Sequence, residues 1–370
     1  MSNTVIRTGI IGGSLNNQWA SQTHIPALRQ SAHHRIAAIA TSRIESAVHS
    51  AAAVGAPHAF TDHEALSGCP EVDLVVVSVK VPFHYEAVKA AIAAGKHVYC
   101  EWPLAATASQ AEELAKLADQ AGIHHAIGLQ ARHSAAVQDV KRRLERNEIG
   151  RILSCTMHVS TQGKGKFTDR KGAYLLQEEN GATLLAINGG HSLDVLRYLL
   201  GDVQELSAMM SSNDTEAILI ETGEKVAKDT ADQILVQGTL LNGASMSVHI
   251  QGGAYPAFRM EIQGEKGIIR LKQHRSFGHV QFGNLEVQQA LYASSLSLGA
   301  GDESHFWTVH GGREQPESPM GNVSKAHELL AGDIQNGTFH SPDFHDAVRL
   351  HQLLESIRRA AVTGHRQKHI

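Results

Sequence analysis

Three groups of residues in this chain have the types and spacing to do chemistry. The first is Gly12-Gly13-Ser14, continued by Leu15-Asn16-Asn17, at the end of a short apolar run. Glycines and small polar residues there allow a tight turn that presents backbone N–H groups to a phosphate at a helix start. Counted as G-x-G-x-x-G from Gly12, however, Ser14 and Asn17 occupy the second and third glycine positions. The turn is therefore either a phosphate cradle or merely structural. The second group is Thr41-Ser42-Arg43, at the end of the next apolar run. An NAD-selective site usually carries Asp or Glu there for the ribose 2′-hydroxyl. Two hydroxyls and a guanidinium suit a 2′-phosphate instead, so the sequence predicts NADP, with NAD less favoured. The third is Gly189-Gly190-His191, with Asp194 three residues on. A histidine titrates near neutrality and can move a proton. In this place His191 is either that group or a packing residue at a helix entry, and Asp194 either orients it or caps the helix. Lys164 and Lys166, in Gln162-Gly-Lys-Gly-Lys-Phe167, either lie in a solvated loop or reach a site; Lys166 is carried as a substrate-binding candidate.

The elements that must position these groups follow from periodicity. Apolar strands are expected at 5–13, 35–40, 73–79, 97–100 and 126–129. Helical stretches lie between them, one from Gln18 to Ser31 that Pro26 is expected to kink. Strands alternating with helices imply right-handed crossovers and an open parallel sheet, with ligands beyond the carboxyl ends of its strands. From Gly150 the pattern changes to alternating strands, with hairpin signals at Leu241-Asn242-Gly243-Ala244 and Gly264-Glu265-Lys266-Gly267. Leu184 to Leu200 is expected to be helical, residues 293–321 to form a lid or long surface loop, and Phe344 to Ala361 a final helix. The fold expected is an α/β Rossmann domain over 1–130 followed by an α+β domain over 131–370 with a large open, mostly antiparallel sheet.

Composition bounds the rest. At roughly 150 residues per domain, 370 residues make about two domains. A net charge of -4 with no basic run argues against direct nucleic-acid binding. Three cysteines without paired spacing fit a cytoplasmic protein and no Cys-based zinc site, and no H-E-x-x-H spacing points to a metal. No uninterrupted apolar stretch is long enough to span a membrane, and the run from Gly9 to Gly13 is too short for a signal peptide. The 24 histidines are scattered, and His33-His34 and His124-His125 read as surface turns.

Several segments together resemble the Gfo/Idh/MocA oxidoreductase family. They are Thr23-His24-Ile25-Pro26-Ala27-Leu28, the run Ala94–Ala105 with Glu101-Trp102-Pro103, and Gly181–Leu185 leading to Gly189-Gly190-His191-Ser192-Leu193-Asp194. Trp19-Ala20, the Thr-Ser-Arg strand end and Lys80-Val81 before His84-Tyr85 are most similar to the branch that contains a fungal galactose-regulon repressor. The resemblance implies NAD(P) in the first domain and a sugar-like, polyol or cyclic alcohol or ketone substrate. It also implies a homodimer or tetramer through the second-domain sheet. Leu15, Asn16, Trp19, Lys80, His84, Glu101, Trp102 and Gln130 join Gly12, Ser14, Ser42 and Arg43 as expected cofactor-binding residues. The resemblance makes His191 the catalytic acid/base, with Trp102, Asp194, Arg132 and Lys166 on the substrate; Arg132 either binds substrate or ties the domains together. Two positions depart from the family: Trp102 stands where Glu-Lys-Pro has lysine, and Ile187 where Asp-x-Gly-x-His has aspartate. An indole offers a flat stacking face and one N–H but cannot give up a proton as an ammonium does. The expected function is an NADP(H)-dependent oxidoreductase. The alternatives are a non-catalytic NADP-binding regulator working through protein contacts, or an elimination or hydrolysis that recycles the cofactor in place.

Overall fold

The structure is a computed structural model that describes residues 5–16, 18–273, 279–282, 285–292, 306–310 and 319–369. Contacts divide the chain into two units: Met1–Gln130 with Pro319–His351, and Ala131–Ser318 with Gln352–Ile370.

In the first unit six strands, β1 (Ile6–Ile11), β2 (His34–Ala40), β3 (His58–Phe60), β4 (Leu74–Val77), β5 (His97–Glu101) and β6 (His125–Gly128), form one sheet in the order β3-β2-β1-β4-β5-β6. Every neighbouring pair is parallel. The all-apolar Leu-Val-Val-Val of β4 is buried throughout, as a strand covered on both faces must be. The order reverses between β1 and β4, and the carboxyl ends on either side of that reversal form the expected ligand crevice. The crossovers carry α1 (Gln18–Gln22), α2 (His24–Gln30), α3 (Ile44–Val54), α4 (His63–Ser67), α5 (His84–Ala93) and α6 (Ala108–Ala121). Pro26 does not kink a single helix. The chain breaks at Thr23, and Pro26 sits in the first turn of α2, where its missing N–H costs nothing.

The second unit opens with α7 (Ala135–Glu145) and strands β7 (Ile152–Ser160) and β8 (Phe167–Thr168). A single π-helical turn, Leu185–Gly189, leads into α8 (Gly190–Leu200). There follow β9 (Val203–Ser211), β10 (Glu216–Leu219), β11 (Lys225–Ala227), β12 (Gln233–Leu240), β13 (Ser245–Gln251), β14 (Ala257–Gly264), β15 (Gly267–Gln273), β16 (Leu285–Leu291), β17 (Trp307–His310) and β18 (Gln367–Lys368). Nine of these form a sheet ordered β17-β16-β15-β14-β7-β13-β12-β9-β18, antiparallel except for the β7–β13 pair. The β12–β13 turn is the expected Asn-Gly hairpin: Gly243 has φ +84°, and Asn242 Oδ1 accepts from Ala244 N at 3.0 Å. Of the stretch read as a lid or loop, 293–305 and 311–318 lie outside the described residues, whereas Trp307–His310 is strand β17.

The last helices are α9 (Pro319–Asn336) and α10 (Phe344–Thr363). The single cut at residue 130 expected from sequence is corrected here, because 319–351 returns to the first unit. The cause is apolar: Ala326, Leu330 and Ala331 of α9 join Ile6, Ile10, Ile25, Leu28 and Ile39 in one buried cluster. The same return corrects the reading of the paired histidines as surface turns. His34 is 6% exposed, with Nδ1 3.0 Å from Thr8 Oγ1 and Nε2 3.3 Å from the His327 carbonyl. His125 Nδ1 accepts from Phe344 N at 3.2 Å, and its ring packs on the Phe344 side chain.

Candidate functional site

In the first unit the strand ends of β1, β2, β3 and β4 enclose a cavity of about 440 Å³. Gly12 turns the chain out of β1 at φ +86°, and a Cβ there would meet the Ser78 carbonyl oxygen at 2.3 Å. Only glycine lets the ends of β1 and β4 approach this closely. Gly12 N and Gly13 N both donate to Ala40 O, at 2.9 and 3.3 Å. Ser14 takes over the tightening that a second glycine would have given: its Oγ lies 3.2 Å from Ser46 Oγ and accepts from Asn16 N at 3.2 Å. Leu15 N donates to Ser50 Oγ. Gly12→Ala is expected to cost about 1–3 kcal/mol of stability, through the clash with backbone and the positive φ. Guanidinium unfolding read beside a dinucleotide titration would check this, and an unchanged midpoint with unchanged binding would contradict it.

Ser42 and Arg43 line the same cavity, as do Gly12, Ser14, Asn16 and Lys80. Arg43 is exposed, and no carboxylate pairs with it among the described residues. Two lining residues were missed in the sequence, Asp62 and His63. Asp62 is the N-cap of α4, its Oδ1 accepting from Ala65 N at 2.7 Å. The Thr-Asp-His that follows His-Ala-Phe was the available signal, and it was passed over because a three-residue strand carries little periodicity.

The remaining expected cofactor residues do not line this cavity, and each is spent on a neighbour. Trp19 accepts through its carbonyl from Thr23 N and Oγ1. Buried His84 lies between the Pro103 carbonyl, 2.7 Å from Nδ1, and the Val79 carbonyl, 3.0 Å from Nε2. Burial lowers its pKa. Gln130 gives its amide to Glu101, with Nε2 2.8 and 2.7 Å from the two carboxylate oxygens. His24 Nε2 lies 2.8 Å from Glu101 Oε1, and His24 Nδ1 is 2.9 Å from His327 Nε2. Trp102, expected to offer an open stacking face, is instead 4% exposed and tilted against His351 with ring centroids 4.7 Å apart. Its large apolar surface has gone into packing within the first unit.

The second unit holds a buried polar cluster. After β7 the chain is pinned by Thr161 N to Gln251 O (2.9 Å), Gly253 N to Gly163 O (3.0 Å) and Ala254 N to Thr161 O (3.0 Å). Lys164 adopts φ +64°, rare for a residue with a side chain, and is turned inward to 7% exposure. Its Nζ donates to Ala182 O and Thr183 O, both at 2.9 Å. Burial drives its pKa down to about 7. Those two carbonyls immediately precede the π-helical turn, a local irregularity frequent at functional sites. From that turn comes Asn188, whose Nδ2 lies 3.1 Å from His279 Nε2, and directly after it His191. His191 is 3% exposed, and its Nδ1 has no hydrogen-bond partner among the described residues. Burial, reinforced by His279 and Lys164, pushes it down to about 3. His279 is held at about 4, chiefly by burial. Asn188 and His279 were not singled out in the sequence. A lone Asn between Ile and Gly-Gly-His was the only signal for the first, and His279 has no local motif.

Asp194, expected either to orient His191 or to cap the helix, is engaged by a guanidinium. Arg132 holds it, with Nε 2.9 Å from Oδ2 and Nη2 2.5 Å from Oδ1, and the Asp194 side chain is 1% exposed. Lys166, expected on the substrate, is exposed, and its neighbour Lys164 occupies the interior. Among the described residues no group of three or more His, Cys, Asp or Glu side chains is arranged to hold a metal ion, and no helix is long and apolar enough to cross a membrane.

Comparison with known proteins agrees with this architecture. The Gfo/Idh/MocA family model, described as an oxidoreductase family with an NAD-binding Rossmann fold, matches residues 6–129. A model of the Gal80p C-terminal domain matches residues 135–273. Dehydrogenase aclE of Aspergillus oryzae is 32% identical over 97% of this chain and 97% of its own length. The chain belongs to the Gfo/Idh/MocA oxidoreductase family. Within this family, the galactose/lactose metabolism regulatory protein GAL80 of Kluyveromyces lactis is 31% identical over 82% of this chain and 70% of that protein. The solved structure of transcriptional regulator Gal80p from Kluyveromyces lactis superposes with a TM-score of 0.86 at 28% identity, covering 99% of this chain and 92% of that one. The Gfo/Idh/MocA chain described here thus has both dehydrogenases and regulators among its relatives.

Proposed function

We propose that this protein is an NADP(H)-dependent oxidoreductase acting on a sugar-like or cyclic alcohol or ketone in the cytoplasm. The observation that carries the reading is His191: a buried imidazole whose Nδ1 has no hydrogen-bond partner among the described residues, in the first turn of α8 just after a π-helical turn and near a buried amine. A polar atom left without a partner in a dry interior costs stability, which argues for a role beyond packing.

The first unit fits a dinucleotide. Gly12 forms a cradle that a Cβ would fill, and Ser14 and Asn16 line the cavity into which that turn opens. Ser42 and Arg43 would hold a 2′-phosphate by charge-assisted bonds, and Lys80 adds positive charge to the same cavity. A bound nicotinamide supplies the hydride chemistry. The buried cluster of Lys164, Asn188, His191 and His279 in the second unit would supply groups to hold a hydroxyl and exchange its proton. Exposed Met209 and Leu235, paired across β9 and β12, support association of the open sheet with a second copy.

Purified protein would be given NADP or NADPH with a panel of aldoses, inositols and cyclic ketones while nicotinamide absorbance is followed. Turnover is expected, and NADP binding with no turnover across the panel would sink the reading. Arg43→Ala is expected to weaken NADP binding by about 10- to 100-fold and leave NAD binding nearly unchanged, the usual worth of a hydrogen bond to a charged group. Equal losses for the two cofactors would contradict the 2′-phosphate assignment. Buried Trp102, Ile187 and the match to the Gal80p C-terminal domain favour a second reading, a non-catalytic NADP-binding regulator that acts through protein contacts.

A further inference from the structure

We propose that Lys164 is the catalytic acid/base of the second unit, exchanging a proton with the substrate oxygen, while His191 stays neutral and orients that oxygen through a hydrogen bond. The inference rests on the oxidoreductase reading and changes which group carries the proton.

The backbone gives the first argument. Lys164 holds a left-handed φ that a lysine rarely adopts, between exposed Gln162-Gly163 and exposed Lys166. The loop closes only because glycines let it. A Cβ on Gly165 would lie 2.3 Å from Gly253 Cα, and one on Gly252 would lie 2.8 Å from the Lys164 carbonyl oxygen. Backbone strain braced in this way is kept where it positions a working group. Its result is to put an amine, and not one of its solvated neighbours, into the interior.

The partners of Nζ give the second. Ala182 O and Thr183 O accept two N–H bonds. Two is the number of hydrogens on a neutral amine, so both are used and the lone pair is left over. No carboxylate pairs with Nζ among the described residues, and a carboxylate is what would hold the amine permanently as an ammonium. Carbonyl dipoles can host both forms. An amine poised near neutrality matches the requirement for acid/base work at working pH, whereas His191 at about 3 is a poor proton acceptor there. The surroundings agree: His191 and His279 are both held neutral, so the site gains a single charge when the proton arrives.

In the oxidation direction the substrate O–H bond breaks and an N–H bond forms at Lys164 Nζ. A bound oxidised nicotinamide would accept the carbinol C–H electron pair as hydride while the C–O bond becomes a carbonyl. Reduction runs the same steps backward, with the Lys164 ammonium as the acid.

The test uses the full-length protein and a substrate found with the aldose, inositol and ketone panel. Lys164→Arg keeps a cation of similar reach that cannot release its proton near neutrality. It is expected to fold, hold KM within about threefold and lose on the order of 100-fold or more in kcat. The limb of the kcat–pH profile near 7 is expected to persist in His191→Asn and to vanish in Lys164→Arg. A Lys164→Arg variant keeping more than about a tenth of kcat, or a limb that vanishes in His191→Asn instead, overturns the assignment. Wild-type protein that binds NADP and turns over nothing overturns the oxidoreductase reading together with this role. A separate readout needs no substrate: the stability difference between wild type and Lys164→Met should change with pH, and a constant difference overturns the role of Lys164 alone.

Discussion

Lys164→Met is expected to be more stable than the wild-type protein at pH 7 and less stable at pH 10. The amine has an ordinary value of 10.5 when the chain is unfolded and about 7 when buried. Between those values the unfolded chain binds the proton and the folded one does not, so stability rises with pH across that window. Below pH 7 the full cost of burying the charge applies, about 5 kcal/mol at 1.36 kcal/mol per pH unit of displacement. Above 10.5 it is gone. Methionine removes the titrating group and the cost with it, but leaves the Ala182 and Thr183 carbonyls without their donor, a loss of about 2 kcal/mol. The balance is a gain of about 2 kcal/mol at pH 7 and a loss of about 1 kcal/mol at pH 10. Guanidinium midpoints of both proteins from pH 6 to 10.5 measure it, since the other titrating groups cancel in the difference. Parallel curves would show that the amine is not displaced.

Removing one partner of the Arg132–Asp194 pair should strongly destabilise the second unit. Asp194 is almost wholly buried and bonded to the guanidinium through both carboxylate oxygens. Arg132→Met removes the guanidinium from that buried carboxylate, at a cost of about 3–5 kcal/mol. Removing both charges tells stability from function. Arg132→Met with Asp194→Leu is expected to recover most of the loss, because paired apolar replacements of a buried ion pair are often neutral or better. Were the double variant no more stable than the single one, the pair would not be coupled as the geometry states. Its activity decides the older question: full turnover would confine Arg132 and Asp194 to architecture, and lost turnover with restored stability would return them to the substrate.

The first sheet was legible because its strands are buried on both faces, which writes runs such as Leu-Val-Val-Val into the sequence. The second sheet was legible through alternation, as in Ser-Met-Ser-Val-His-Ile of β13. Helix α9 is hidden in the sequence behind the aperiodic Ser-, Gly- and Pro-rich stretch before it. The spacing of Val323, Ala326, Leu330, Ala331 and Ile334 is nonetheless helical. In the sites, the turn at Gly12 and the Ser42-Arg43 pair could be read locally because each lies on one strand end. The choice of Lys166 over Lys164 could not be made that way. Both flank Gly165 in a glycine-broken loop, and only the approach of Gly252 and Gly253, nearly ninety residues later, settles which one turns inward. Asn188 and His279 are likewise joined by tertiary structure alone.

The return of 319–351 to the first unit has a temporal meaning. On the ribosome the six parallel strands emerge first, yet Ala326, Leu330 and Ala331, which join their apolar core, are made about 200 residues after β6. Until then Ile25, Leu28 and the rings of His24 and Tyr99 lack the helix that brings His327 against them. The nascent dinucleotide-binding half must wait, partly open, while the large sheet is synthesised. Completion of the amino-terminal fold is thereby a report that the large sheet has been made, and a chain cut short before α9 would present an unsealed apolar surface to the cell's quality-control machinery.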